Sequence, residues 1–379
     1  MLRSCHLPQL LARASASIAR ILAVSILLTC LVAPARAQIT VDVGYSAPAD
    51  LFSLMDNVAE WWPGFNHSVY RTYWTETYGW TGEDQEWADA YQDYRQRTYS
   101  DPGQAEQDPA TARDGLFAKR SSVAIEADPL AEHFLAAATV DEALATLDDI
   151  TSESDADMLR SFYAHFEPQW RELLEESRSF EGRVEELRDE LSGPEVDAYL
   201  ERVSDFYGVD AELEFEALYV WWPPVDRTLA DVSGRAFFIR SHPVRHASEG
   251  GWSDAAVHEA VHYLSAHQPY AQKQALTAAF LDRCPVEISA FYEVLEEPLA
   301  VAWGNAAFAK YGRGEPLEPT ASWYWRPLPS VMGRLLWPHV DALYDSDATI
   351  NDGLIEVAAG YCSRLLDVSE QLDRRQEQR

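Results

Sequence analysis

The stretch from Gly251 to Pro269 constrains the fold more than any other part of the chain. Gly250-Gly251 breaks the chain ahead of it, Ser253 and Asp254 offer an N-cap and a first-turn acid, and the pattern is helical until Pro269. Ala255, Ala256, Ala260, Val261 and Leu264 make this a mostly buried helix, which needs other elements packed around it. Val257 to His262 reads VHEAVH, so His258 and His262 stand four apart, on one face and one turn from each other. Buried imidazoles need partners. A metal ion satisfies both at once, and Glu259 between them is placed to act on water as a general base. With 10 His in 379 residues, this five-residue pattern arises by chance in roughly 2 chains in 100. The alternative is a structural histidine pair.

The rest of the chain divides around residue 208. Ser46 to about Gly208 carries apolar residues at spacings of three and four, as in Leu159, Phe162, Phe166, Trp170, Leu173 and Leu174, then Val184, Leu187 and Leu191. Residues 38–208 therefore read as a helical N-terminal region, with a loop from Ser100 to Gly115, where apolar residues nearly vanish. At Glu212 the character changes. Leu213, Phe215, Leu218, Tyr219 and Val220 form a run stopped by Pro223-Pro224, and Arg235 to Ser241 forms another stopped by Pro243; both predict strands. The expected class is α+β, predominantly helical, with a small mixed sheet preceding the histidine-bearing helix.

Residues 1–37 stand apart. They hold four Arg and no acid, an apolar stretch from Ile21 to Val32, and Ala35-Arg36-Ala37, the pattern of a signal peptide cut between Ala37 and Gln38. The expected location is periplasmic or secreted, with no integral membrane segment in the mature chain, since no later run is long and apolar enough to span. Cys30 follows Leu27-Leu28-Thr29, and Thr fits a lipoprotein signal poorly. Cys284 and Cys362 remain after cleavage, where a disulfide can persist; a bridge would stabilise by roughly 4 kcal/mol through loop closure, and two buried thiols are the alternative.

The formal net charge is -32, with 62 acidic against 30 basic residues. That excludes partners bound through a phosphate backbone, so no nucleic acid is expected. The 13 Trp include Trp61-Trp62-Pro63 and Trp221-Trp222-Pro223, read as core or loop anchors before sugar platforms. Glycan binding or hydrolysis is accordingly the weakest of the functional readings.

The His258, Glu259 and His262 pattern resembles the HExxH zinc metallopeptidases. The metzincin pattern needs Gly and His in fixed places after the second ligand, and here those places hold other residues, which points to the gluzincin branch, whose third ligand is a Glu on a later helix in an E-G-L-A-like segment. Glu296-Glu297-Pro298-Leu299-Ala300 is similar to that segment, and alignment on its Leu-Ala step gives Glu297 the ligand position. Glu293 and Glu296 are the alternatives, and a ligand at Glu293 would leave Glu297, four residues on, as a partner for a ligand histidine. Pro298 suits the first turn of a new helix running to about Lys310. Val301 departs from the family, which often has an acid there.

The resemblance implies that residues 209–379 form a zincin-like metallopeptidase domain holding Zn2+ through His258, His262 and Glu297, with a peptide or protein substrate lying along an edge strand. Arg235 to Ser241 is the candidate edge. Tyr324, Tyr361 and His339 are candidates to stabilise an oxyanion, and His242 and His246 to line the cleft. A zinc-containing, non-catalytic relative is the alternative to a peptidase. Oligomeric state is not legible.

Overall fold

The computed structural model describes residues 39–61, 67–98, 128–225, 228–233, 236–243, 251–286, 291–318, 320–346 and 348–377. The leader of residues 1–37, the loop of 100–115 and His246 lie outside them. From Gln38 onward the chain forms one compact unit. Strand β1 (Ile39–Gly44) leads into α1 (Ala47–Ala59), α2 (Val69–Tyr78), α3 (Gly82–Thr98), α4 (Pro129–Ala136), α5 (Val140–Ala145), α6 (Glu153–His165) and α7 (Glu167–Ser177). Next come α8 (Ser179–Leu191), α9 (Pro194–Tyr207), β2 (Leu213–Trp221), β3 (Leu229–Ser233) and β4 (Ala236–Ser241). The chain continues through α10 (Gly251–Ala266), α11 (Tyr270–Arg283), a helical run over 292–312 called α12, α13 (Pro327–Tyr344) and α14 (Asp352–Glu377).

Local chemistry explains several boundaries. Thr139 caps α5 by accepting the amide of Glu142 at 3.1 Å, and Ser152 caps α6 by accepting that of Asp155 at 3.2 Å, each satisfying an amide the helix leaves unpaired. Helix α9 stops at Gly208, whose φ of 68° lies in the left-handed region where a side chain would be strained. Helix α10 begins at Gly251, earlier than the expected cap, so Ser253 is buried within its first turn. Asp254 nearby pairs with Arg313 and places negative charge at the helix N-terminus.

The sheet has the order β1, β2, β4, β3, with β1, β2 and β4 parallel and β3 antiparallel to β4. β1 pairs with β2 from Ile39 opposite Leu213 to Gly44 opposite Leu218, so the regions before and after residue 208 share one sheet. The chain is α+β and predominantly helical, with a small mixed sheet ahead of α10.

The expected edge strand needs correction. β4 lies between β2 and β3, and the edge on that side is β3, Leu229–Ser233. All six residues of β4 are buried, and an unbroken apolar run such as Ala236 to Ile239 marks a strand covered on both faces.

Alternation along the strands feeds two cores. Phe215, Ala217, Tyr219, Phe237 and Ile239 pack with residues of α8 through α14. Leu218, Val220, Ala236 and Phe238 pack into a second, aromatic-rich core with α1 through α7. Trp221 and Trp222 are buried in that second core with Trp61, and the Tyr70 hydroxyl donates to the Trp221 carbonyl at 2.6 Å. They are anchors of the core.

Two features frame the region after α10. Cys284, at the end of α11, is bridged to Cys362 on α14, closing a separation of 78 residues with Cα atoms 6.0 Å apart. Pro298, expected to open a helix, instead lies inside α12, which has an α-helical stretch (Glu297–Ala300) between two π-helical ones, Tyr292–Glu296 and Val301–Gly312. A proline within a helix lacks an amide and crowds the carbonyl one turn back. A wider turn relieves this, and the Glu297 amide accordingly bonds to the Tyr292 carbonyl five residues earlier. Among the described residues no helix is long and apolar enough to cross a membrane.

Candidate metal centre

Helix α10 crosses α12 at backbone contact. A Cβ on Gly304 would lie 2.5 Å from the Cα of His258, so only glycine permits this approach. The crossing, together with burial of Ala256, Val257, Ala260, Val261 and Leu264, turns the histidine face of α10 towards Glu297. His258, His262 and Glu297 converge, with one donor atom from each lying within 4.8 Å of the others. His258 Nε2 is 3.2 Å from His262 Nε2 and 3.6 Å from Glu297 Oε1; His262 Nε2 is 3.3 Å from Glu297 Oε2.

The other candidate glutamates are engaged elsewhere. Glu293, an alternative third ligand, pairs with Arg326, and Glu296 lies 3.4 Å from Lys273 Nζ. Among the described residues, Glu297 is the glutamate that joins the two histidines. Its side chain is 2% exposed and that of His258 4%. A carboxylate so buried needs a cation or a full set of donors.

The support around the three residues is equally specific. His258 Nδ1 donates to Asn305 Oδ1 at 2.9 Å, which leaves Nε2 facing Glu297 and His262 as the nitrogen a metal would bind in place of its proton. Asn305 thus orients one of the ligand histidines from the same helix that carries Glu297. Tyr324 stacks on the His258 ring, centroids 5.2 Å apart and planes 4° from parallel. Tyr292 stacks on His262 at 5.6 Å, and its hydroxyl lies 3.2 Å from His262 Nε2. Asn305 and Tyr292 carried no sequence signal that singled them out.

Charge at the site is tightly linked. Burial works against a charged His258, yet the hydrogen bond and negative charge of Glu297, helped by Glu259 and Asn305, hold its pKa up at about 9. Burial likewise opposes ionisation of Glu297, but hydrogen bonds from both histidines keep it well below the usual carboxylate range. Burial and the charges of Glu297 and Glu259 push the Tyr324 phenol upward, so it stays protonated. Glu259 is half-buried beside these groups.

The remaining candidates lie elsewhere. His242 is buried with Nε2 3.5 Å from Glu176 Oε1. Tyr361 packs against the larger core with the Arg364 guanidinium 6.0 Å from its ring, and His339 sits on α13.

The donor set fits a small divalent cation on an internal test. Three polar atoms, from His258, Glu297 and Tyr292, lie 3.2–3.3 Å from the single nitrogen His262 Nε2. One imidazole nitrogen offers either one proton or one lone pair, so it satisfies at most one of them. Two donors bound at about 2.0–2.1 Å in tetrahedral geometry are themselves about 3.3 Å apart, which matches these separations. The arrangement could therefore hold a metal ion. No family model, no curated protein and no solved structure matches this chain.

Proposed function

We propose that this chain is an exported zinc-dependent metallopeptidase with a zincin-like core, which hydrolyses peptide bonds with Glu259 as general base. The observation that carries the reading is the convergence of His258, His262 and Glu297, the first and last of them buried, with Glu259 alongside. Two imidazoles and one carboxylate suit zinc, and they match the donor types of catalytic more than structural sites. When bound, zinc polarises a carbonyl and makes water a stronger acid.

The chain's own groups supply the rest. Glu259 takes the proton of the attacking water and passes it to the leaving amine as the C–N bond breaks. Asn305 fixes the tautomer and tilt of His258. Tyr324, stacked on His258 and kept protonated, offers an O–H to the oxygen that gains negative charge. Among the described residues β3 is an edge strand, which offers an extended substrate backbone pairing and is held in register by Leu229 opposite Arg240 and Ala230 opposite Ile239. Export rests on the basic leader, its apolar stretch and Ala35-Arg36-Ala37.

The test joins metal analysis to a broad peptide library. Purified protein is expected to hold one zinc per chain, and Glu259→Gln to keep the zinc while cleaving roughly 10²–10⁴-fold more slowly. Protein without zinc, or a Glu259→Gln variant as active as wild type, would overturn the reading. A non-catalytic zinc-binding protein is favoured by one contact, the Tyr292 hydroxyl beside His262 Nε2. Tight zinc binding with no cleavage anywhere in the library would decide for it.

A further inference from the structure

We propose that the phenol oxygen of Tyr292 is a fourth protein donor to the metal, completing the set formed by His258, His262 and Glu297. This rests on the metal-centre reading above. Its basis is distance: the hydroxyl is 3.2 Å from His262 Nε2, as close as the His258 nitrogen and slightly closer than the Glu297 oxygen. All three separations fall near the 3.3 Å edge of a tetrahedron of donors at bonding distance. A hydrogen bond from Tyr292 to His262 would require the His262 nitrogen to serve the phenol alone, leaving the other two atoms crowded against it without an interaction.

The backbone supplies an independent argument. Tyr292 and Glu297 are five residues apart, and in an α-helix such residues point about 140° away from each other. The π-helical turn over Tyr292–Glu296, closed by the Glu297 amide on the Tyr292 carbonyl, brings them back towards one face. Wide turns of this kind occur largely at functional sites. Here the turn delivers a second oxygen donor to a centre that an α-helix would have furnished with one.

Unlike Glu297, Tyr292 is half-buried, and its ring lies 5.6 Å from the His262 ring and nearly parallel to it. The resting centre is then a closed N₂O₂ set, in which the phenol and the His262 imidazole are the partly exposed members. Movement of this one side chain would open a position for water or a substrate oxygen.

The experiment is a Cu(II) titration of the metal-free full chain followed by visible absorption, alongside zinc competition. A phenolate bound to Cu(II) gives a ligand-to-metal charge-transfer band that imidazole and carboxylate do not. Wild type and Tyr324→Phe are expected to show the band at one equivalent of copper, and Tyr292→Phe to bind copper without it. Zinc affinity of Tyr292→Phe should fall roughly tenfold or more, on the scale seen when groups supporting a metal site are removed. Tyr292→His, which restores a donor of different chemistry, should recover affinity and lack the band, which separates ligand loss from misfolding. Stoichiometric copper binding by wild type without the band, or a band that survives in Tyr292→Phe, overturns the proposal and leaves the metal centre standing. Failure of wild type to bind either metal overturns both.

Discussion

The two cores on opposite faces of the sheet both bury charge, and they neutralise it differently. On the face covered by α1 to α7, the Arg95 guanidinium is 2% exposed, lies 2.9 Å from Asp56 Oδ1, and makes two 2.7 Å bonds to Asp128. Trp61 Nε1 and the Tyr91 hydroxyl complete the Asp56 carboxylate at 2.7 and 2.9 Å. Burial pushes the Asp56 carboxyl upward, and Arg95 opposes it. There the chain brings its own cation. On the other face no Lys or Arg side chain is paired with Glu297 among the described residues; its partners are His258 and His262, with Tyr292 beside them, and a proton on His258 balances the carboxylate. A buried cluster neutralised by a guanidinium is a structural clamp; one neutralised by an exchangeable proton on imidazole can give that proton up to a metal ion.

The sharpest way to break this comparison is Arg95→Met. It leaves two buried carboxylates without their cation and is expected to lower the unfolding free energy by about 3–5 kcal/mol in denaturant titrations, with metal stoichiometry unchanged. If metal binding disappears as well, the two cores are not independent.

Asp50 offers a third way of managing charge, by taking up a proton. It is fully buried and accepts the Trp221 amide at 2.7 Å. Burial raises its pKa to about 7, against the Trp221 bond, hydrogen bonds from Ser177 and Tyr45, and the charge of Arg240. The folded value lies above the unfolded one, so between about pH 4 and pH 7 the folded state keeps a proton that the unfolded chain has lost. Stability contributed by the protonated group is therefore complete below that window and lost as pH rises through it. Relative to Asp50→Asn, wild type should lose on the order of 4 kcal/mol across the window in unfolding experiments. A difference that does not change with pH would show that Asp50 is charged throughout.

The smallest effect sharpens the comparison from the metal side. Asn305→Leu removes the acceptor of His258 Nδ1 and should weaken zinc binding by about 10–100-fold, or about 1.4–2.7 kcal/mol, in competition titrations. An unchanged affinity would mean that helix packing alone orients His258.

What was legible in the sequence was local. Histidines four apart on an apolar helix show their shared face directly, and the Leu299-Ala300 step picks out Glu297 from its neighbours. Strand β2 is visible as an apolar run before two prolines. The position of β4 was not, because strand order is decided by partners far along the chain, and its continuous apolar run was read as a strand without regard to what lies on either side. Strand β1 was missed as a partner because it pairs with residues more than 170 positions away. Asn305 and Tyr292 were invisible for a different reason. Their roles depend on the α12 backbone, where the wide turns change which residues share a face, and no residue type announces such a turn.

The bridge between Cys284 and Cys362 encloses Tyr292, Glu297, Asn305 and Tyr324, while His258, Glu259 and His262 lie before it. A protease that cuts at the exposed residues 314–316 or 320–322 would therefore leave two pieces still joined covalently, with Glu297 on one and Tyr324 on the other. A cut at exposed Pro269 or Tyr270, between α10 and α11, has no such insurance, because it parts the histidines from the ring that carries Glu297. Two nicks of equal size thus have unequal consequences, and the half of the centre that carries Glu297 is the one the chain has tied shut.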